Sequence, residues 1–295
     1  MKKLLYIVLF ITFIGCSDSS ENEDLNIGDS PTEFTFINNI HGSLSHEWIS
    51  EFNEIMGVLK QLIPTNPNDY FYELPIYAWN STVERPFQNK IGTASGAMIS
   101  GNGQAVNGKI MVLEIPKEEF NWNSMHRFSV ICHEYYHAYQ MSLSKHFFDR
   151  NIELKWMSEG GAATFESLYI QQYYSYGYFE DAQNNVDIAA INSPEIFEKF
   201  NTSNDKDPNY SSSVFMLLAL SKELQNSGLS EPQAFKLILK EFWVNNPTNE
   251  NWKVTFEETF NMRLDDFYES LKSYTNDISS VLPNKELTLE SIYDN

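Results

Sequence analysis

Two histidines and a glutamate near the middle of the chain have the types and spacing of a metal-dependent catalytic site. The segment at residues 133–137 reads H-E-Y-Y-H, so His133 and His137 lie four positions apart. On a helix these positions share one face, and both imidazoles can therefore reach the same ion. Glu134 is rotated about 100° from His133, which lets it act on a water molecule beside the ion. The pattern predicts metal-assisted hydrolysis with Glu134 as the general base.

A third protein ligand is expected farther along the chain, because hydrolytic zinc sites take three and keep one position for water. A continuation of the metzincin kind is absent, since Gln140 and Leu143 occupy the positions that need glycine and histidine. Instead Glu159 follows His137 by 22 residues, in the segment W-M-S-E-G-G-A-A at 156–163. This segment resembles the W-x-x-E-G-x-A signature of the peptidase MA clan, which includes the thermolysin-like and aminopeptidase N-like families.

The resemblance implies a gluzincin-type zinc metallopeptidase with a zincin-like catalytic domain. It implies one Zn²⁺ per chain, held by His133, His137 and Glu159, and a peptide or protein substrate. Small residues follow Glu159, as expected where two helices must approach closely for its carboxylate to reach the ion. The segment G-A-M-I-S at 96–100 resembles the G-A-M-E-N element of aminopeptidases but lacks its glutamate, and we interpret it as part of a glycine-rich loop. An endopeptidase is therefore favoured over an aminopeptidase.

Two further residues are candidates for supporting roles. Glu166 lies seven residues after Glu159 on the same helical stripe, where it can accept the free ring N–H of a ligand histidine or stand at the surface. The segment that begins at Tyr210 resembles the Y-x-x-(small)-x-x-x-x-L helix of these families, whose tyrosine hydrogen-bonds the oxyanion. The resemblance implies that role for Tyr210. Other tyrosines remain open for it, namely Tyr173, Tyr174, Tyr176 and Tyr178.

The first half of the chain predicts a helix and a small sheet. Apolar residues recur at helical spacing over about 45–63, and Pro64 ends the pattern. Two runs rich in β-forming residues follow at 74–79 and 109–115. The glycine-rich stretch between them, at 92–108, predicts hairpin turns or a mobile loop.

The second half of the chain predicts helices. Helical periodicity continues from residue 123 almost to residue 274. Near its end the pattern resembles the closing helix pair of many MA-clan proteins, with Asn261 at the position of their glycine; asparagine is the next best residue for a left-handed turn. A small N-terminal sheet with helices, beside a mainly helical C-terminal half, predicts the α+β class.

The first residues of the chain predict a lipoprotein signal peptide over 1–15. Lys2 and Lys3 precede an apolar run of 11 residues, far shorter than the roughly 20 that cross a bilayer. The run ends in F-I-G-C and resembles the lipobox of bacterial lipoproteins, which implies lipidation of Cys16. The alternative is an ordinary secretion signal cleaved near Gly15, which would leave a free cysteine.

Residues 16–30 predict an acidic, flexible tether, since they contain few apolar anchors. The stretch also resembles the acidic export signals of surface lipoproteins in Bacteroidetes-type bacteria. It implies an outer-membrane or cell-surface location in which the lipid alone contacts the membrane. Residues 31–295 are then expected to form a single peptidase domain.

Composition narrows the function further. The chain has 295 residues, of which 42% are hydrophobic, and its formal net charge is −20. The hydrophobic content favours a globular protein, and the negative charge repels phosphate backbones, so nucleic acid is not an expected partner. Two alternatives to a peptidase remain: a catalytically silent zincin-fold module and a glycan-binding surface lipoprotein.

Overall fold

A four-stranded sheet and a larger set of helices make up an α+β fold, the class that the sequence predicts. The computed structural model describes residues 31–200 and 210–294. The predicted signal peptide, Cys16 and the tether lie outside the described residues. The strands are β1 (Thr35–Ile40), β2 (Glu73–Asn80), β3 (Ala97–Gly101) and β4 (Lys109–Ile115).

Helical segments make up much of the rest of the described chain. They are α1 (His46–Leu62), α2 (Gln88–Ile91), α3 (His126–Leu143), α4 (Lys145–Phe148), α5 (Lys155–Tyr174), α6 (Tyr178–Ala182), α7 (Ala189–Asn192), α8 (Tyr210–Asn226), α9 (Glu231–Lys236), α10 (Phe242–Val244), α11 (Trp252–Phe260), α12 (Leu264–Ser270) and α13 (Leu289–Tyr293). A π-helical segment, Leu237–Glu241, joins α9 to α10, and short 3₁₀ turns occur at Lys117–Phe120, Pro194–Glu198, Leu271–Ser273 and Ile278–Ser280.

The sheet is mixed, with the strand order β1-β2-β4-β3. β2 runs parallel to β1 and to β4, whereas β3 pairs antiparallel with β4. The two predicted strands are thus observed at the centre of the sheet. The glycine-rich stretch is partly a strand: β3 and β4 form a hairpin whose connection closes at Gly108, with a φ of 67° that favours glycine. β1 was not predicted, because its polar Asn38 and Asn39 interrupt the apolar pattern.

Helix α1 packs one apolar face into the core and matches the predicted span within a residue at each end. Its buried residues are Trp48, Phe52, Ile55, Met56 and Leu59. Ser45 caps the N-terminus by accepting a hydrogen bond from the backbone N–H of Trp48 at 3.2 Å. The indole N–H of Trp48 donates to the carbonyl of Arg127 at 3.0 Å, which ties α1 to the start of α3.

Helix α5 packs closely against both α3 and α8 through two consecutive glycines. A Cβ at Gly160 would lie 2.7 Å from the Ser213 carbonyl oxygen of α8, and a Cβ at Gly161 would lie 3.2 Å from the Tyr136 ring of α3. These are the small residues that the sequence predicts after Glu159. Their lack of a side chain lets the three helices approach one another.

The C-terminal segment packs against helices α3 and α5. Asn261 lies between α11 and α12 in the left-handed conformation, with φ 49°, as its sequence position predicts. Farther on, the ring of Tyr293 in α13 lies 6.0 Å from that of Tyr139 and 6.2 Å from that of Phe165. Within residues 31–200 and 210–294, none of the helices combines the length and the apolar composition that a membrane span requires.

Candidate metal centre and cleft

Helix α3 presents His133 and His137 on one face, one turn apart. Their ring centroids are 4.8 Å apart, and their side chains are 13% and 10% exposed. Of the three residues between them, Tyr135 and Tyr136 are fully buried and pack in the core. The i, i+4 spacing therefore leaves the two imidazoles at the surface of a cleft while the rest of the turn is held in the core.

Glu159 completes a group of three donor atoms. Its Oε2 lies 3.3 Å from the Nε2 of His133 and 3.3 Å from the Nε2 of His137. One donor atom from each of the three residues lies within 4.8 Å of the other two. Two imidazole nitrogens and one carboxylate oxygen form the donor set of a hydrolytic zinc site, so the residues present fit that metal.

The Nδ1 atoms of both imidazoles have hydrogen-bond partners. The Nδ1 of His133 lies 3.2 Å from Oε2 of Glu166, and the Nδ1 of His137 lies 2.7 Å from Oε1 of Gln140. With Nδ1–H donating outward, each ring can direct the lone pair of Nε2 towards an ion held between the two rings and Glu159. The structure thus brings Glu166 to His133, which is one of the two placements that the sequence left open for Glu166. Gln140 was missed, although its i+3 position relative to His137 was a usable signal.

The electrostatics of the cluster favour a cation. Burial lowers the pKa of His133, but hydrogen bonds to Glu159 and Glu166 outweigh this effect and leave the pKa well above its usual value. Burial raises the pKa of Glu159, but the charge of His137 and the hydrogen bonds from both imidazoles outweigh it, and the pKa falls below its usual range. Buried carboxylates therefore hold positive charge at this point, and a divalent cation can supply it.

Glu134 faces the same cleft but has a different environment. Its residue is 4% exposed, and its Oε2 is buried with no hydrogen-bond partner among the described residues. Burial raises the pKa of this carboxyl, against the lowering effect of His133 and His137. An unsatisfied carboxylate oxygen beside the donor cluster is suited to accept a proton from water.

Tyr210 is the first residue of α8 and lies beside His133. Its ring centroid is 5.9 Å from that of His133, and the residue is 48% exposed. The competing tyrosines are engaged elsewhere: Tyr173 with Glu290, Tyr174 with Glu51, Tyr176 with Asp181 and Tyr178 with Ser129. None of these four lines the cleft, whereas Tyr210 does.

The donor cluster lies in an open cleft of about 450 Å³. One wall consists of Ala97, Met98 and Ile99 from β3, so the segment interpreted as a loop is in fact a strand beside the site. β3 is last in the strand order, and within the described parts of the chain its outer edge pairs with no other strand. Sequence reasoning missed this wall because glycines on both sides masked a five-residue strand.

Comparisons with known proteins give no relative for this chain. No protein-family model matches it, and neither a curated protein nor a solved structure does. The features of this chain that bear on function are therefore its donor cluster, the buried Glu134 and the cleft.

Proposed function

We propose that this protein is a gluzincin-type zinc peptidase with a zincin-like fold, and that it acts as an endopeptidase rather than as an aminopeptidase. The observation that carries the proposal is the convergence of His133, His137 and Glu159, since two imidazoles lie at the same 3.3 Å from one carboxylate oxygen. Residues 26 and 22 positions apart along the chain meet there. A merely structural cluster does not require the buried, unpaired Glu134 beside it.

The metal would be held by His133, His137 and Glu159. Zinc, when bound, polarises the scissile carbonyl and increases the acidity of water. Glu166 and Gln140 hold the two imidazoles in orientation through their Nδ1 atoms. This support lowers the freedom of the ligand rings and so favours one geometry of the site.

Glu134 carries out the proton transfer in this proposal. Its carboxylate accepts a proton from the attacking water and delivers it to the leaving amine, which is the role of a general base and then a general acid. Burial raises its pKa, and this brings the group closer to the acidity that both steps need. Tyr210, which lines the cleft beside His133, donates a hydrogen bond to the developing oxyanion.

The cleft supports an extended peptide as the substrate. β3 offers an open edge along one wall, and an extended chain can add to such an edge through backbone hydrogen bonds. The segment 96–100 has no glutamate to bind a substrate amino group. Both features favour cleavage within a chain over removal of its first residue.

The lipid anchor is part of the proposal. Cys16 carries the lipid, residues 16–30 act as the tether, and the domain acts on peptides at the outer membrane or the cell surface. This part is supported by the sequence pattern of residues 1–30 alone.

Metal analysis and a cleavage assay test the function together. Purified wild-type protein is expected to contain one zinc per chain and to cleave peptides from a random library. His137→Ala is expected to lose both properties, whereas His46→Ala keeps them, because His46 is exposed at the start of α1 and does not line the cleft. Wild-type protein that binds zinc but cleaves no peptide would favour the silent module instead. Binding of a glycan array by metal-stripped protein would favour the glycan-binding alternative.

A further inference from the structure

The cleft continues past the histidines along α3. His133, His137 and Met141 follow one another at four-residue intervals and all line the cleft. Met141 therefore lies about 6 Å beyond His137 along the helix axis. The ring of Phe147 lies 6.1 Å from that of His137 with an interplanar angle of 29°, and Ile152 completes this wall. We call this part of the cleft, formed by Met141, Phe147, Arg150 and Ile152, the His137-side subsite.

Arg150 is the charged member of the subsite. Its residue is exposed, and its guanidinium has no hydrogen-bond or ion-pair partner among the residues that the structure describes. It adopts the left-handed conformation, with φ 59°. Glycine or asparagine usually occupies such a position, since other side chains raise the energy by about 1–2 kcal/mol. A long cation at this turn is therefore unusual on conformational grounds, and such outliers concentrate at functional sites.

The loop that carries Arg150 is fixed by backbone hydrogen bonds. The Arg150 N–H donates to the Phe147 carbonyl at 3.1 Å, and the Asn151 N–H donates to the His146 carbonyl at 2.8 Å. Asn249 holds the loop from the other side: its N–H donates to the Asn151 carbonyl, and its Oδ1 accepts from the Glu153 N–H, both at 2.8 Å. The base of the Arg150 side chain is thus held in place before any ligand binds.

Positive charge from lysine or arginine in the described cleft lining is confined to Arg150. The acidic residues that line the cleft are Glu134, Glu153 and Glu159. Among its described lining residues, Arg150 is the only lysine or arginine. Burial, and next the charge of Arg150, lower the pKa of Lys109. Asp149 acts in the opposite sense on Lys109, but its carboxylate pairs with Lys145 at 2.6 Å. A carboxylate bound at Arg150 would offset the repulsion between the cations.

We propose that Arg150 determines specificity by binding a carboxylate of the peptide substrate, from an acidic side chain or from the C-terminus, in the His137-side subsite. The inference rests on the proposed peptide-binding function of the cleft. The apolar wall packs against the stem of the bound residue, and the guanidinium forms a charge-assisted pair with its carboxylate. Glu153 also lines the cleft, and its negative charge disfavours a carboxylate beside it.

Matched peptides test this inference in two assays. Quenched fluorescent peptides carry one glutamate or one glutamine at successive positions, and each is made with a free or an amidated C-terminus. kcat/KM is measured on zinc-loaded wild-type protein, and Kd is measured by fluorescence anisotropy on zinc-loaded Glu134→Gln. A preference of about 5- to 10-fold for glutamate at one position identifies a side chain as the source, and the same preference for the free acid identifies the C-terminus.

Arg150→Asn removes the charge while keeping a residue that tolerates the left-handed conformation, and it is expected to abolish the preference. Arg150→Glu should reverse the preference, so that a matched peptide with lysine at the same position becomes the better substrate. Arg263→Ala is the control, since it removes an exposed arginine that does not line the cleft, and it should keep the preference.

The outcomes separate this inference from the proposed function. Wild-type protein that cleaves peptides without distinguishing carboxylates, or a preference that survives in Arg150→Asn, overturns the subsite and leaves the peptidase intact. A preference in Kd that depends on Arg150, without cleavage of any peptide, overturns the peptidase and supports the subsite. Neither binding nor cleavage overturns both.

Discussion

The close approach of α5 and α8 leads to a prediction at Gly160. A Cβ there would lie 2.7 Å from the carbonyl oxygen and 2.9 Å from the carbonyl carbon of Ser213. Carbon and oxygen atoms in close contact normally stay about 3.3 Å apart or more, so the helices would have to separate by roughly half an ångström. Because the obstructing atoms belong to the backbone of α8, no side-chain rotation relieves the contact.

Gly160→Ala should therefore destabilise the protein, although alanine favours helices. Overpacking costs about 3 kcal/mol at the upper end of its usual range, and the better helix propensity of alanine recovers about 1 kcal/mol. The net loss is about 2 kcal/mol, which lowers the Tm of a domain of this size by about 4–8 °C. Glu159 precedes Gly160 directly, so zinc affinity should fall as well.

Gly57→Ala is the matched control. Gly57 lies in the interior of α1, and a Cβ there would meet no atom within 4 Å. The same substitution should then stabilise the protein by about 0.5–1 kcal/mol and raise its Tm by about 2 °C. Thermal unfolding of the three proteins, followed by circular dichroism, gives both shifts. A Tm for Gly160→Ala equal to or above that of wild type would refute the close packing of α5 on α8.

The remaining predictions concern the metal, the anchor and pH. Glu134→Gln should keep zinc near the wild-type content while turnover falls by about 10²–10⁴, whereas Glu159→Gln should weaken zinc binding itself; loss of zinc from Glu134→Gln would contradict these roles. Cys16→Ser should move the protein from the membrane fraction to the soluble fraction, and equal partitioning would refute lipidation. The hydrogen bond to Glu119 at 2.8 Å raises the pKa of His126 in the folded protein. The stability that this bond contributes is therefore complete below the unfolded-state pKa of about 6.5 and is lost as pH rises through the folded-state pKa. Since the His126 side chain is 54% exposed, His126→Gln should cost less than about 1 kcal/mol at pH 6 and still less at pH 9, as urea titrations at both values can measure.

The sequence by itself determined the features that depend on local spacing. Apolar periodicity located α1 within a residue at each end, and residue types located the two central strands. The four-residue spacing placed His133 and His137 on one face of a helix, and the small residues after Glu159 predicted its close packing. Each of these features depends on backbone geometry over a short stretch of chain, so the spacing of residue types in the sequence is enough to predict it.

Only the tertiary structure decided which side chains meet across the fold. Sequence reasoning left several tyrosines open, and the packing of α8 brings Tyr210, but none of the other four candidates, to the cleft beside His133. It took 96–100 for a loop, but pairing with β4 makes most of that segment an edge strand on the cleft wall. It did not single out Arg150, because this residue reaches the cleft on a loop whose backbone hydrogen-bonds to Asn249, about 100 residues away. Contacts at such separations depend on how whole elements pack, and no local pattern records them.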